Sequence, residues 1–444
     1  MRTRRAAEAA GAATVALLLA LTAACGSRLP ESDFEHRGTA PATGGPAHEP
    51  VVVGVITSTT SPVGGEAFTG PRDGALAYFA DLNAKGGVNG RPVRAVTCDD
   101  GGSGVGNNEC VRRLLTEDKV FALVATTALD YAGAPRVSAA GVPDIGGQPV
   151  GAAYDTYPHL YGIYGSQAPR DGKAAGWGGR LYGGTEVYRY FKRVQRARSA
   201  AVVSYNQAAS AAYARLIVRG LEAEGYEVTS EQVDFALPNF PAVAAGLRDR
   251  GADLVFDALD THGNAQLCEA MDAAGVRPTA KVTNVQNWSD AVAKDYKDSP
   301  GCRNALWATG ASRNYDDPGN GPGGAAVRDF RAGMARYAEG KPLSQWQLEG
   351  WAAAMWFADA ARSCGQRLTR ACVERFVGHG APYTARGLLL PVSYRPLAEP
   401  PATDRTCLSV ARWRDTARGG RGGWVTQGDM DTNCFTVPQL PYRP

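Results

Sequence analysis

The stretch LNAKGGVNGRPVRAVTCDD, from Leu82 to Asp100, decides the fold predicted for this chain. Gly86 and Gly87 end the helix that leads into it, because glycine readily adopts the left-handed backbone that follows helix ends. Asn89-Gly90 is a tight-turn signal, and the strand Val93–Thr97 follows it directly. A helix, a turn and a strand are therefore predicted in immediate succession.

The same alternation continues on both sides of this stretch. Before it, the apolar run Val51–Ile56 precedes a segment whose apolar residues are spaced for one helical face. Further buried strands are predicted at Val120–Ala125, Pro143–Ile145, Ala200–Tyr205, Tyr226–Phe235, Asp253–Leu259 and Lys281–Val285. The helices between them are predicted at Val111–Leu115, Tyr182–Val194, Leu216–Leu221, Val243–Leu247 and Asn264–Ala274. This rhythm predicts an α/β fold of parallel sheets with helices on both faces.

The strands fall into two series, the second starting after about residue 165, so two lobes are expected. Ligands of such sheets bind beyond the carboxyl ends of the strands, where two facing lobes form a cleft. In the last third, helices at Ala325–Tyr337 and Leu348–Ala361 complete the first lobe. A strand at Arg386–Tyr394 and a hairpin around Gly419–Gly423 then return to the second.

The N-terminus has the order of a secretory signal, with a short basic region and then the apolar run Ala12–Ala24. This run is shorter than the ~20 apolar residues that a membrane-spanning helix needs. It ends at Cys25 and resembles a lipobox, although Thr22 stands where leucine is usual. The resemblance implies a signal peptide over residues 1–24 and a lipid on Cys25, which holds the exported protein on the outer face of the cell membrane. The alternative is a plain secretory leader with a chance cysteine.

Residues 25–50 are rich in Gly, Pro and Ala without periodicity, which predicts a disordered tether. Beyond Cys25, eight cysteines remain, and an even number in an exported chain indicates disulfides. Eight cysteines allow 105 connectivities. Pairing of sequence neighbours is expected: Cys98 with Cys110, Cys268 with Cys302, Cys364 with Cys372, and Cys407 with Cys434. Zinc is the alternative, but there is no CxxC and the histidines do not cluster with cysteines.

The opening stretch Leu82–Asp100 closely resembles the corresponding segment of branched-chain amino acid binding proteins, which serve ABC importers. The likeness extends to Ser58–Gly65, to Asn314–Asn320 and to the aromatic helix EGWAAAMWFADA, and covers essentially all of Val51–Thr426. It implies the type I periplasmic binding protein fold: two Rossmann-like lobes joined by three crossover segments, closing on a ligand. The expected lobe bounds are 51–164 with 308–384 for lobe 1, and 165–307 with 385–444 for lobe 2.

In that family the first lobe holds the ligand with small residues and backbone amides at strand ends. Carried over to this sequence, these positions are Ser58, Ser61, Thr126, Thr127, Ala128, Gly147 and Gln148. Hydroxyls and exposed N–H groups at strand ends suit an anion or a carbonyl. The alternative for each threonine is an ordinary residue at the end of a strand.

In the second lobe the sequence departs from the family's aromatic and acidic positions. The candidates here are Tyr205, Gln207, Asp260, Gln286 and Trp288. Asp260 would pair with an ammonium, and Trp288 would stack on a ring. A capping role for Asp260 and loop packing for Trp288 are the alternatives.

Composition and motifs argue against several classes of function. The chain is 44% hydrophobic and 20% charged with a net charge of +3, which fits a soluble globular protein without a nucleic-acid partner. No GxSxG nucleophile motif occurs, and GxGxxG at Gly319–Gly324 is interpreted as a loop. No catalytic residue, cofactor or metal is expected.

We therefore expect a monomeric solute-binding lipoprotein that captures a small polar solute, an amino acid or related carboxylate or amide, for an ABC permease. A ligand sensor that signals occupancy to a partner is one alternative. The other is an exported enzyme on the same scaffold, for which only His262 near Asp260 offers a base.

Overall fold

The computed structural model describes residues 49–62 and 64–444, all within one unit, Ala40–Pro444. The expected signal peptide, Cys25 and nearly all of the expected tether lie outside the described residues. The described residues begin just before the first strand.

The first sheet is parallel and has five strands in the order β2-β1-β3-β4-β5. Its strands are β1 (Val51–Thr57), β2 (Val93–Asp99), β3 (Ala122–Val124), β4 (Asp144–Gly147) and β5 (Leu160–Gly162). Almost every residue of β1, VVVGVIT, is buried, because helices cover both faces of a parallel sheet. The β-branched side chains of this strand suit such a two-sided core.

Two groups of helices cover this sheet. They are α1 (Gly65–Ala84), α2 (Gly104–Thr116) and α3 (Ala134–Ala139), and then α10 (Gly321–Tyr337), α11 (Gln345–Ser363) and α12 (Arg370–His379). Helices α1 and α11 touch closely because glycines face the partner backbone. A Cβ on Gly74 would lie 1.9 Å from the Gln347 carbonyl oxygen, and one on Gly350 would lie 2.0 Å from that of Pro71. Helix α11 also packs on β4, so the late helices complete the first layer, as expected.

The second sheet has seven strands in the order β14-β13-β11-β10-β9-β7-β8. Its parallel strands are β7 (Ser199–Tyr205), β8 (Glu227–Val233), β9 (Leu254–Ala258), β10 (Ala280–Thr283) and β11 (Leu306–Gly310). The antiparallel hairpin β13 (Ser409–Arg414) and β14 (Gly423–Thr426) adds to β11. The predicted return of the last strands to the second layer is confirmed.

The helices of the second layer are α4 (Glu186–Val194), α5 (Ala208–Ala223), α6 (Phe240–Arg250), α7 (Thr261–Ala273), α8 (Val292–Asp295) and α9 (Pro300–Arg303), with α13 (Ala417–Gly420) in the hairpin. Two small antiparallel sheets complete the structure. They pair β12 (Thr403–Cys407) with β15 (Cys434–Pro438), and β16 (Leu440–Tyr442) with β6 (Leu181–Gly183).

The chain passes three times between the two layers: after β5, after β11 and after α12. Isolated bridges pair Ser166 with Tyr394 and Ser312 with Leu389, so the three passages run side by side. The predicted α/β class with two Rossmann-like layers and three crossovers is confirmed. The bounds of the two lobes stay a prediction.

Three local predictions were wrong. The helix expected from Tyr182 begins only at Glu186, because Leu181–Gly183 pairs with the remote strand β16. The segment Arg386–Tyr394 is not a strand, since positive φ angles of 58° and 88° at Arg386 and Gly387 interrupt extended backbone. Within the GxGxxG match, residues 321–324 form the first turn of α10 rather than a loop, with proline near its start, where the missing N–H does no harm.

All four expected disulfides are present. They join Cys98 with Cys110, Cys268 with Cys302, Cys364 with Cys372, and Cys407 with Cys434. The last of these joins β12 to β15 beside the hairpin rather than closing the hairpin itself. Pairing of sequence neighbours was therefore the correct prediction.

Candidate functional site

A cavity of about 320 Å³ lies where the strands of both sheets end, and we call it the cleft cavity. Five of the predicted binding residues line it: Gln148, Tyr205, Gln207, Asp260 and Gln286. Two larger recesses of about 750 and 800 Å³ adjoin it, sharing Tyr164 and Tyr213 with it. The cleft cavity receives residues from the strand ends of both layers.

Gln148 follows β4 and forms part of the cavity wall from the first layer. Its backbone N–H donates to the Thr126 carbonyl oxygen at 2.8 Å, and its side-chain Nε2 donates to Glu349 Oε2 at 2.8 Å. Gly147 lies behind the wall, where a Cβ would meet the Tyr154 hydroxyl at 1.6 Å. Glycine is needed here because the Tyr154 ring fills the space of a side chain.

The remaining first-layer candidates lie beneath the cavity rather than in its wall: Ser58, Ser61, Thr126, Thr127 and Ala128 are all buried. The Ser58 hydroxyl donates to Asp100 Oδ1 at 2.7 Å and accepts the Leu129 N–H at 3.0 Å. The Thr126 hydroxyl donates to Asp144 and that of Thr127 to the Ala125 carbonyl. Their hydrogen bonds stabilise the strand-end loops.

Glu349 on α11 is a buried acid directly behind the wall. It accepts hydrogen bonds from Gln148, from Ser312 Oγ at 2.6 Å and from Tyr164 Oη at 3.0 and 3.1 Å. Burial raises the pKa of Glu349 to about 7, although these donors oppose the shift. Two of its partners, Gln148 and Tyr164, line the cleft cavity, so the carboxyl group contacts the cavity wall from behind.

In the second layer, Tyr205 ends β7 and its hydroxyl donates to Asp260 Oδ1 at 2.9 Å. The same oxygen accepts the Gly263 N–H at 2.9 Å, which makes Asp260 the N-cap of α7. A Cβ on Gly263 would lie 1.9 Å from the Tyr205 hydroxyl, so only glycine lets the tyrosine reach. Burial, and to a lesser extent the Asp260 carboxylate, raise the pKa of Tyr205. The capping role proposed for Asp260 is confirmed, and Asp260 also lines the cavity.

The other second-layer candidates differ in position. Gln207 precedes α5, and Gln286 lies in the short helical turn Val285–Asn287; both line the cavity. Trp288 is fully buried, outside the lining, with its ring against Trp424 at 6.1 Å between centroids. The loop-packing alternative describes the position of Trp288.

Sequence reasoning missed several cavity residues that lie on helices or crossovers: Phe68, Tyr164, Tyr213 and Trp346. It also missed Glu349. The available signal was the stretch QWQLEG at the start of α11, because an acid inside an otherwise apolar helix implies a buried partner.

Among the described residues, the cleft cavity contains neither the base offered for an enzyme nor a cluster of metal ligands. His262 is exposed on α7 and does not line the cleft cavity. No group of three or more His, Cys, Asp or Glu in the described part of the chain is placed to hold a metal ion. Among the helices of that same part, none is long and apolar enough to cross a membrane.

Two α/β layers, three crossovers side by side and a cavity at the strand ends define a two-layered solute-binding protein. Residues 50–417 match the family model described as periplasmic binding protein. The chain belongs to this family, which consists of binding proteins rather than enzymes. Among curated proteins, no relative matches the sequence significantly.

Solved structures share the fold at low sequence identity. A fatty acid ABC transporter substrate-binding protein from Thermomonospora curvata is 16% identical with a TM-score of 0.66, covering 88% of this chain and 95% of its own. An ABC transporter substrate-binding protein from Sphaerobacter thermophilus is 16% identical with a TM-score of 0.66, and the match covers 88% of this chain and 98% of that protein. A leucine-binding protein from Thermotoga maritima is 14% identical with a TM-score of 0.64, and the match covers 86% of this chain and 99% of that protein. These likenesses show the fold, and the ligand has to be argued from the cavity.

Proposed function

We propose that this protein captures a small polar solute in the cleft cavity and delivers it to an ABC permease. The observation that carries the proposal is the position of the cavity, at the strand ends of both layers, with Gln148 contributed by one layer and Asp260 by the other. Closing the two layers would cover such a ligand from both sides. Family membership and the ABC transporter proteins among the similar structures support the same function.

We further propose that the two layers with their crossovers are lobes with the bounds expected from the sequence, and that the protein acts as a monomer. A lipid on Cys25 would hold it at the outer face of the cell membrane. The support is the lipobox-like sequence that ends at Cys25. A lipid there would keep the receptor near its permease, from which an exported protein without an anchor diffuses away.

A thermal-shift screen of the purified protein tests solute capture. Amino acids, amides, amines and organic acids would be added singly, because a ligand that binds only the folded state raises the apparent stability, by about 2.7 kcal/mol at a hundred times Kd. Ala209 is exposed and lines the cavity, whereas Ala223 is exposed at the far end of the same helix, α5. A209W should abolish the shift by filling the cavity, and A223W should retain it. A panel without any stabilising solute would count against the proposal.

Fractionation of cells tests the anchor. C25A should release a folded, ligand-competent protein from the membrane fraction. Retention of C25A on the membrane would show that something other than this lipid holds the protein there.

A further inference from the structure

Five aromatic residues form part of the walls of the cleft cavity. Phe68, Tyr164, Tyr205, Tyr213 and Trp346 line it. Edge contacts fix three of them: Phe68 lies 5.4 Å from Trp346, and Tyr205 lies 5.1 Å from Phe235, between ring centroids. Tyr164 and Tyr213 keep 38% and 47% of their surface exposed, which is apolar area that a ligand would cover.

The charge of the cavity has one sign. Among the described residues that line it, Asp260 is the only charged one, and none is Lys, Arg or His. A second carboxyl, that of Glu349, lies behind the wall and contacts the lining residues Gln148 and Tyr164. The field inside the cavity therefore favours a positive charge and opposes a negative one.

Three hydroxyls expected to hold a ligand carboxylate already donate within the protein. The hydroxyls of Ser58, Thr126 and Thr127 are fully buried and donate to Asp100, Asp144 and the Ala125 carbonyl. An anion in the cavity would therefore meet neither a basic side chain nor these hydroxyls.

The hydrogen bonds of Asp260 leave its negative charge available to a cationic ligand. Its two hydrogen bonds within the protein come from uncharged donors, the Tyr205 hydroxyl and the Gly263 N–H, and both reach Oδ1. These bonds fix the carboxylate without neutralising it. A fixed carboxylate beside several aromatic faces is the combination that recognises ammonium groups, because ring faces attract cations once water is removed.

We propose that the solute is an organic monocation, an amine or quaternary ammonium carried on an apolar body, with Asp260 as its counter-charge and the rings as its walls. This inference rests on the proposed function and names its substrate class. It replaces the amino acid or carboxylate expected from the sequence, because none of the described residues that line the cavity is a basic partner for a carboxylate.

A matched set of probes tests the inference by calorimetric titration of the purified protein. Phenethylamine and phenyltrimethylammonium carry the cation, 3-phenylpropanamide is neutral, 3-phenylpropanoate is anionic, and phenylalanine is zwitterionic. The cations should bind more tightly than all the others. D260N should weaken cation binding by about tenfold or more, because it removes the charge of an ion pair. Asparagine is as good an N-cap as aspartate, so α7 should keep its start.

The control is D234N, which changes an exposed strand-end aspartate of the same layer that lies outside the cavity lining. It should leave the affinity for the cations unchanged. Tighter binding of phenylalanine, 3-phenylpropanoate or the amide than of both cations would overturn the inference and leave solute capture intact. Equal loss of binding in D260N and D234N would also overturn it. Failure of every solute, here and in the thermal-shift screen, would reject the proposed function itself.

Discussion

Gln148 and Glu349 are 201 residues apart in sequence, and Gln148 Nε2 donates a 2.8 Å hydrogen bond to Glu349 Oε2. The bond joins the end of β4 to the aromatic helix α11. Ser312, in the second crossover, donates to the same carboxyl group. One buried acid thus connects the cavity wall, a core helix and a segment between the layers, and its protonation should affect stability.

Glu349 should make the protein less stable as the pH rises from about 4.5 to about 7. Burial raises its pKa from the ordinary 4.5 to about 7, so the folded state binds the proton more tightly than the unfolded chain. The resulting stability is fully present below about pH 4.5 and is lost as the pH passes the folded-state pKa. At ~1.4 kcal/mol per pKa unit, the loss is about 3 kcal/mol. Urea unfolding at several pH values measures it.

E349Q should remove this part of the pH dependence. Asp144 is also buried with a pKa raised to about 6, so the informative quantity is the difference between wild type and variant. E269Q, at an exposed position of α7, is the control and should follow the wild type. A wild-type minus E349Q difference that stays constant from pH 4.5 to 8 would contradict the assignment.

The disulfides should differ in their contribution to stability. Cys268–Cys302 closes a loop of 34 residues and Cys364–Cys372 one of 8. Because a longer loop loses more entropy when it is closed, removing the first should cost about 3 to 4 kcal/mol and removing the second less. Paired alanine variants of each disulfide, compared by urea unfolding, measure the two losses. The reverse order would show that strain or residual structure outweighs loop entropy.

The fold was largely predictable because its signals are local. The alternation of strands and helices can be recognised in short stretches of sequence, and each cysteine pairs with a neighbouring cysteine in the sequence. One error arose where a remote partner intervened, when β16 turned Leu181–Gly183 into a strand.

The site was predictable only in part, for the same reason. Gln148, Tyr205, Gln207, Asp260 and Gln286 follow strands, and strand ends of parallel sheets meet at one edge. Phe68, Tyr213 and Trp346 lie on helices or at their ends. Which face of a helix reaches the cavity depends on its rotation, and for α1 and α11 this is set by close contacts at Gly74 and Gly350. No local pattern encodes that rotation.

The ion pair of Lys281 and Asp257 should be costly to break. Both side chains are 0% exposed, and Lys281 Nζ lies 2.5 Å from Asp257 Oδ2 and 2.6 Å from Asn264 Oδ1. K281M should cost about 3 to 5 kcal/mol because it leaves a buried carboxylate without its cation. Adding D257N should recover part of the loss. K297M is the control, since Lys297 and Asp298 are 70% and 72% exposed and such pairs contribute less than about 1 kcal/mol.

Trp288 provides the last prediction, because the sequence placed it in the binding site and the structure places it in the core. Its ring is 0% exposed and lies against Trp424 of the hairpin, and its carbonyl accepts the Gln345 N–H at 2.8 Å, beside Trp346 of the cavity wall. W288A should therefore destabilise the protein by about 3 to 5 kcal/mol through the cavity it leaves. W288F keeps an aromatic ring and should remain folded with unchanged solute affinity. If Trp288 instead stacked on the ligand, W288F would lose much of its solute affinity while its stability stayed nearly unchanged. Calorimetric titration and urea unfolding of the same W288F sample therefore distinguish a core tryptophan from a ligand-stacking one.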